Sequence, residues 1–72
     1  MSRLRYIREN VLVMTQEELA VELGISQPSV SALERTDRFH HHMPRIREIA
    51  IGKGIEWDDR LFFEPLPEAS AA

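Results

Sequence analysis

Residues 15–35 read TQEELAVELGISQPSVSALER, and this stretch decides the fold. Thr15 is followed three residues later by Glu18, which is the spacing of a capping box at the start of a helix. Gly24 is suited to end that helix because glycine adopts positive φ without strain. Ser26 can cap a second helix, and Pro28 fits the first turn of that helix, where its missing N–H does no harm. The stretch therefore predicts two helices joined by a very short turn.

Each of the two predicted helices has one apolar side, and these sides indicate how the helices pack. Ala20 is small where the helices cross closely. The apolar positions are Leu19, Leu23, Ile25, Val30 and Leu33. Their burial leaves the other face of the second helix exposed, with Gln27, Pro28, Ser31, Ala32 and Arg35 on it. A helix, a short turn with glycine and a second helix form the helix-turn-helix arrangement.

The sequence before this stretch predicts one further helix. Leu4, Ile7 and Val11 have helical spacing, with charged residues between them. The apolar run 11–14 then interrupts the period, which predicts a connection partly covered by the core.

The sequence after the stretch predicts a loop and two more helices. Residues 36–43 have no helical period, and Pro44 opens a fourth helix that Gly54 ends. Ile46, Ile49 and Ala50 share one face of it, and residues 56–63 predict a short fifth helix. We therefore predict an all-α domain of five helices over residues 1–64, followed by a flexible tail at residues 65–72.

Composition and charge restrict the function. The 72 residues include no cysteine, which excludes a disulfide scaffold, a thiolate zinc site and a cysteine nucleophile. The longest apolar run has four residues, too few for a transmembrane helix, so we expect a soluble cytoplasmic protein. The net charge is −3, which argues against strong nonspecific binding to nucleic acid. Residues 35–47 nevertheless carry four arginines and three histidines against one aspartate, so one locally basic face is available.

The motifs in residues 15–20, 23–26 and 30–35 resemble the Xre/Cro-type family of phage and bacterial regulators. The resemblance implies a lambda-repressor-like fold, a homodimer on a palindromic operator and a recognition helix over residues 27–35. It further implies that Gln16 contacts a phosphate, that Gln27 and Ser31 meet base edges, and that Arg8 and Glu34 form a buried ion pair. The sequence departs from the family between Arg8 and Gln16, where it is one residue longer than the commonest spacing and lacks the usual glycine.

The residues on the predicted recognition face allow more than one interpretation. Gln27 can bond the N6 and N7 edge of adenine, or it can be a solvated residue in a first turn. Ser26 is a helix cap whose hydroxyl can also reach a phosphate. Pro28 and Ala32 either meet a thymine methyl group or are simply small enough for close approach.

The basic residues after the recognition helix are candidate phosphate ligands. Arg35 and Arg38 flank the end of that helix, and the alternative is two exposed arginines without a ligand. Arg45 and Arg47 on the fourth helix carry the same two interpretations. The run 40–42 is three consecutive histidines, which do not easily turn toward one metal ion, so we expect solvated side chains or neighbours of phosphates and no metal.

Large apolar residues gather near the end of the predicted domain. They are Trp57, Leu61, Phe62 and Phe63. They either complete the core of the monomer or form a symmetric patch that pairs with a second copy, and we favour the dimer.

The sequence thus predicts a Cro-like repressor that binds double-stranded operator DNA as a homodimer and requires no cofactor. A first alternative is an antitoxin or mobile-element regulator that also binds a protein partner through its acidic C-terminal part. A second is a protein-interaction module without DNA binding. No nucleophile motif, phosphate-binding loop or metal-ligand cluster supports an enzyme.

Overall fold

The computed structural model describes residues 2–64, and every regular element in that part of the chain is helical. The elements are α1 (Arg3–Tyr6), a π-helical continuation of it (Ile7–Leu12), α2 (Gln16–Leu23), α3 (Gln27–Thr36), a 3-10 turn (His40–His42), α4 (Met43–Gly52) and a second 3-10 turn (Asp59–Phe62). The all-α class is confirmed, with four α-helices where five were predicted. The predicted tail, residues 65–72, lies outside the described residues. No helix in the described range is long and apolar enough to cross a membrane.

The first helix widens into a π turn, and this changes which residues enter the core. Leu4, Ile7 and Leu12 are fully buried, whereas Val11 is only half-buried. The connection expected at residues 11–14 is therefore shorter and begins only at Val13, because the π-helical segment continues to Leu12. The π turn bonds i to i+5, so Leu12 rather than Val11 follows Ile7 on the buried side. The segment ends at Val13, whose φ of 54° and ψ of 57° are left-handed.

The helix boundaries predicted in residues 15–29 are confirmed. The Thr15 hydroxyl accepts from the Glu18 N–H at 3.1 Å, and the Glu18 carboxylate accepts from the Thr15 N–H at 2.8 Å. Gly24 ends α2 with a φ of 72°. The Ser26 hydroxyl accepts from the Ser29 N–H at 3.3 Å and so caps α3. These local bonds fix the entry of α3 only a few residues after α2 ends.

The core lies where α1 through α4 meet. Its largest fully buried side chains are Leu4, Ile7, Leu12, Leu19, Val30 and Ile46. Phe39, in the segment predicted as a loop, is also buried, and its ring lies 6.1 Å from that of Phe62. The loop between α3 and α4 is thus anchored by an aromatic side chain in its middle.

The predicted fifth helix is replaced by an extended segment and a 3-10 turn. Asp58 is extended, with φ −129° and ψ 122°, and its carboxylate accepts from the Arg60 N–H at 2.9 Å. This cap starts a helical turn only at Asp59. The shorter turn still delivers Phe62 to the core, where the Trp57 ring lies 5.0 Å from it.

Asp37 joins the end of α3 to the start of α1. It has a φ of 56°, and its two carboxylate oxygens accept from the backbone N–H groups of Arg3 and Leu4 at 3.2 and 3.1 Å. One residue therefore ends α3 and satisfies two free amides of α1. This contact sets the position of α3 against the first helix.

Candidate nucleic-acid interface

The outer face of α3 is open to solvent, as the apolar pattern predicted. Gln27, Pro28, Ser31 and Arg35 are exposed, and Ala32 is half-buried. On the inner side of the helix, Val30 is fully buried, Leu33 is half-buried and Glu34 is 7% exposed. The helix thus presents a polar face with small residues between Gln27 and Arg35.

Gln16 lies between this face and a buried carboxylate. Its Nε2 donates to Glu34 Oε1 at 3.0 Å, and its Oε1 accepts from Gln27 Nε2 at 3.5 Å. The carboxylate can only accept, so it orients the Gln16 amide with its oxygen toward Gln27. The start of α2 and the start of α3 are thereby connected at the edge of the exposed face.

Arg8 and Glu34 form the ion pair that the family resemblance implied. The Arg8 Nε donates to one Glu34 oxygen, and its Nη2 lies 3.4 Å from the other. The Arg8 Nη1 donates to the Met14 carbonyl at 3.0 Å. The side chains of Arg8 and Glu34 are only 9% and 7% exposed. The π turn keeps this pairing in register although the segment up to Gln16 has an extra residue.

The arginines differ in whether a carboxylate already engages them. Within residues 2–64, no carboxylate lies within ion-pair distance of Arg35 or Arg38, and both are exposed.

The two arginines on α4 have acidic partners. Arg45 bonds Glu22 at 3.3 Å and Glu48 at 3.2 Å, and Arg47 bonds both oxygens of Asp59 at 3.0 and 3.1 Å. Arg35 and Arg38 are therefore better placed than Arg45 and Arg47 to bind a phosphate.

The three histidines form a 3-10 turn directly before α4. His40 and His41 are exposed with their ring centres 6.0 Å apart, and His42 is half-buried. Among residues 2–64, no group of three metal-binding side chains is close enough to hold an ion.

The predicted dimer patch divides into a buried and an exposed part. Phe62 is 5% exposed and belongs to the core, so it offers little surface to a second copy. Trp57 and Leu61 are half-buried, whereas Phe63 is 73% exposed. Hydrogen bonds from the Trp57 indole and the Arg47 guanidinium lower the pKa of the Asp59 carboxyl.

Sequence interpretation did not identify Arg5 or Asp37 as parts of this region. Arg5 has Glu9 four residues later at 3.1 Å, which is the spacing of an ordinary surface ion pair. Asp37 follows α3 and bonds residues 33 and 34 positions away, a contact without any local signal.

Comparison with known proteins relates part of the chain to a family. A family model described as helix-turn-helix matches residues 4–38. The interval contains α2, the Gly24 turn, α3, both members of the Arg8–Glu34 pair and the Asp37 cap. Searches of curated proteins and of solved structures give no significant match to the chain.

Proposed function

Residues 4–38 match the helix-turn-helix family of the Xre and lambda-repressor type, and from this premise we propose that the chain is a Cro-like repressor that binds a palindromic operator as a homodimer. The family comprises DNA-binding regulators of transcription rather than enzymes. The observation that carries the proposal is the exposed polar face of α3, with Gln27 at its start and, near its end, two arginines that no carboxylate of residues 2–64 engages. Repression follows from occupancy, because a dimer bound over a promoter blocks polymerase.

Recognition begins with α3 in the major groove. Gln27 lies in the first turn, from which recognition helices contact base edges, and its amide matches the N6 and N7 positions of adenine. Ser31 lies one turn further on the same face and offers a hydroxyl to a base. Pro28 and Ala32 are small and allow the helix to lie close to the bases.

Phosphate contacts hold the duplex in register. Gln16 and Ser26 lie at the N-termini of α2 and α3, where backbone amides and side-chain donors favour an anion. Arg35 and Arg38 supply positive charge at the other end of α3. Because phosphate contacts carry no sequence information, these residues contribute affinity and Gln27 contributes specificity.

The homodimer is supported by apolar side chains that the core does not fully cover, the exposed Phe63 and the half-buried Trp57 and Leu61. Ile51, 61% exposed on α4, lines a surface cleft together with Trp57 and adds apolar surface there. Two copies joined symmetrically here present two α3 helices to half-sites about 34 Å apart, one turn of DNA.

Selection from a random duplex library, read by sequencing, tests the proposal. We expect an inverted repeat with half-sites one helical turn apart. Gln27→Ala should relax the preference at one base pair of each half-site. Arg38→Ala should weaken all sequences alike and reduce the salt slope by about one per protomer.

Arg47→Ala is the matched control, because Asp59 already engages that guanidinium, and it should leave the slope unchanged. An unenriched library with weak, salt-sensitive binding would refute sequence-specific recognition.

Sedimentation of Phe63→Asp tests the dimer. We expect monomers with reduced operator affinity, whereas Val21→Asp, at a 79% exposed position on α2, should remain dimeric. A dimer that survives Phe63→Asp would place the interface elsewhere.

A second candidate function is an antitoxin-like regulator that also binds a basic protein partner. It is favoured by the same surface, where the exposed Phe63 is followed by Glu64 and where Glu56 and Asp58 are exposed nearby in sequence. This function would be favoured over the homodimer if the parent protein is a monomer and copurifies with a basic protein, and if Phe63→Asp abolishes that copurification.

A further inference from the structure

A cleft of about 490 Å³ opens between α1 and α3, beside the recognition face. Three arginines and one carboxylate line it: Arg5, Arg8, Arg35 and Glu34. The lining therefore has an excess of positive charge in a chain whose net charge is −3. Such a local excess marks the cleft as a place for an anion.

The positive charge of the cleft is only partly balanced by carboxylates within the protein. Arg8 and Glu34 neutralise each other, because both oxygens of the carboxylate face that guanidinium. Arg5 donates its Nε to Glu9 at 3.1 Å, and its two terminal nitrogens have no partner among residues 2–64. Arg35 has no carboxylate partner in the same range. Two guanidinium groups, one on each wall, thus retain donors for an incoming ligand.

These donors suit a phosphate group. Guanidinium binds phosphate oxygens with paired N–H donors, and two such groups can share one anion. The cleft also contains the hydroxyl of Ser31 and the side-chain amide of Gln16, which are further donors. Both residues also border the exposed face of α3, so a duplex lying on that face brings its backbone to the cleft.

We propose that this cleft binds a backbone phosphate of the operator between Arg5 of α1 and Arg35 of α3. The inference rests on the proposed function and extends the interface to the first helix, which the sequence predicted only as a packing element. Arg8 lies at the floor of the cleft, where Glu34 neutralises its charge and the protein already uses its hydrogen bonds. A free phosphate compound has the same chemistry, and the experiment separates the two sources.

The salt dependence of operator binding tests the site with the full chain. Arg5→Ala should reduce the slope of log K against log salt by about 0.9 per protomer, as expected for one lost phosphate contact, without changing the selected sequence. Arg5→Lys should keep most of the slope, because it keeps the charge. The matched control is Arg60→Ala, since Arg60 is an exposed arginine paired with a nearby acid, as Arg5 is, but lies outside the cleft. It should leave the slope unchanged.

Three outcomes would overturn the proposal. If Arg5→Ala keeps the parental slope while Arg38→Ala reduces it, the cleft does not bind DNA and the proposed function stands. If no sequence is selected and neither variant changes the slope, both proposals fail together. If calorimetry finds inorganic phosphate bound at micromolar affinity, lost in Arg5→Ala, while the DNA slope is unaffected, the cleft serves a free phosphate compound. Circular dichroism of each variant confirms that it is folded before these comparisons.

Discussion

Glu34→Ala is the substitution with the largest expected effect on the fold. It removes the carboxylate that pairs α3 with the π-helical part of the first helix. The Arg8 guanidinium, at 9% side-chain exposure, then keeps its charge without its main partner. Gln16 loses the acceptor of its Nε2 group at the same time. The Met14 carbonyl remains bound to Arg8, but a carbonyl does not neutralise a charge.

The magnitude follows from the burial of the pair. Removing one partner of a buried ion pair costs about 3–5 kcal/mol of unfolding free energy. Glu9, 35% exposed, lies 3.4 Å from Arg8 Nη2 and can take over part of the pairing, so we expect a loss of about 3 kcal/mol. A domain of 72 residues has a total stability of about 4–11 kcal/mol. The variant should therefore lose about a quarter of it or more.

Urea unfolding followed by circular dichroism at pH 7 measures this loss. The matched control is Glu48→Ala, which removes a 67% exposed carboxylate 3.2 Å from Arg45 and should cost less than about 1 kcal/mol. Replacing both partners, as Arg8→Met with Glu34→Leu, should recover most of the stability, because no charge is left buried. If Glu34→Ala costs no more than Glu48→Ala, the pair is not desolvated and the reasoning is refuted.

Four further predictions concern local contacts, each measured by urea unfolding. Thr15→Ala should cost about 1 kcal/mol through the lost cap, and Thr15→Ser should restore it. The hydrogen bond from the Thr15 N–H lowers the pKa of the Glu18 carboxyl. The stability that the charged carboxylate contributes is therefore present at neutral pH and is lost as the pH falls below about 4. Glu18→Gln should abolish this pH dependence of stability. Val13→Asn should stabilise the protein by about 0.5–1 kcal/mol, because asparagine tolerates the left-handed conformation and the valine side chain is 73% exposed. An unchanged urea midpoint would mean that Val13 is unstrained. Asp37→Ala should cost about 1 kcal/mol, since two amides of α1 lose their acceptor, whereas Asp37→Asn should keep one of the two bonds. Equal losses of stability in the two variants would contradict the role of Asp37 as the acceptor for these amides.

The parts of the fold that were predicted depend on contacts within a few residues. Thr15 and Glu18 are three residues apart, and Ser26 bonds the amide of Ser29. Gly24 ends its helix by its own backbone freedom. Such determinants are contained in the sequence itself, so the boundaries in residues 15–29 were predicted correctly.

The parts that were missed depend on competition in three dimensions. Val11 and Leu12 are both apolar, and only packing against the other helices decides that Leu12 is the one buried. Phe39 stands in a polar, basic segment without a period, and its burial depends on Phe62, which is 23 positions away. The prediction of a fifth helix from residue 56 was wrong because the Asp58 cap starts a helical turn only at Asp59. Helical spacing alone does not reveal where such a cap forms.

The candidate site was predictable in its exposed residues but not in its connections. A helix face that is not apolar is exposed, so the positions of Gln27 and Arg35 followed from those of Val30 and Leu33. The cleft beside Arg5 depends on the packing of α1 against α3, which no single helix encodes.

Glu34 connects the stability of the fold with the proposed reading of DNA. The same carboxylate neutralises Arg8 and orients the Gln16 amide toward Gln27. Arg8→Met with Glu34→Leu separates these two roles, because the apolar pair restores packing but offers Gln16 no acceptor. In the proposed complex this variant should fold like the parent protein and still discriminate less at the base pair that Gln27→Ala affects. Equal discrimination by the folded double variant would mean that Glu34 acts on the fold alone.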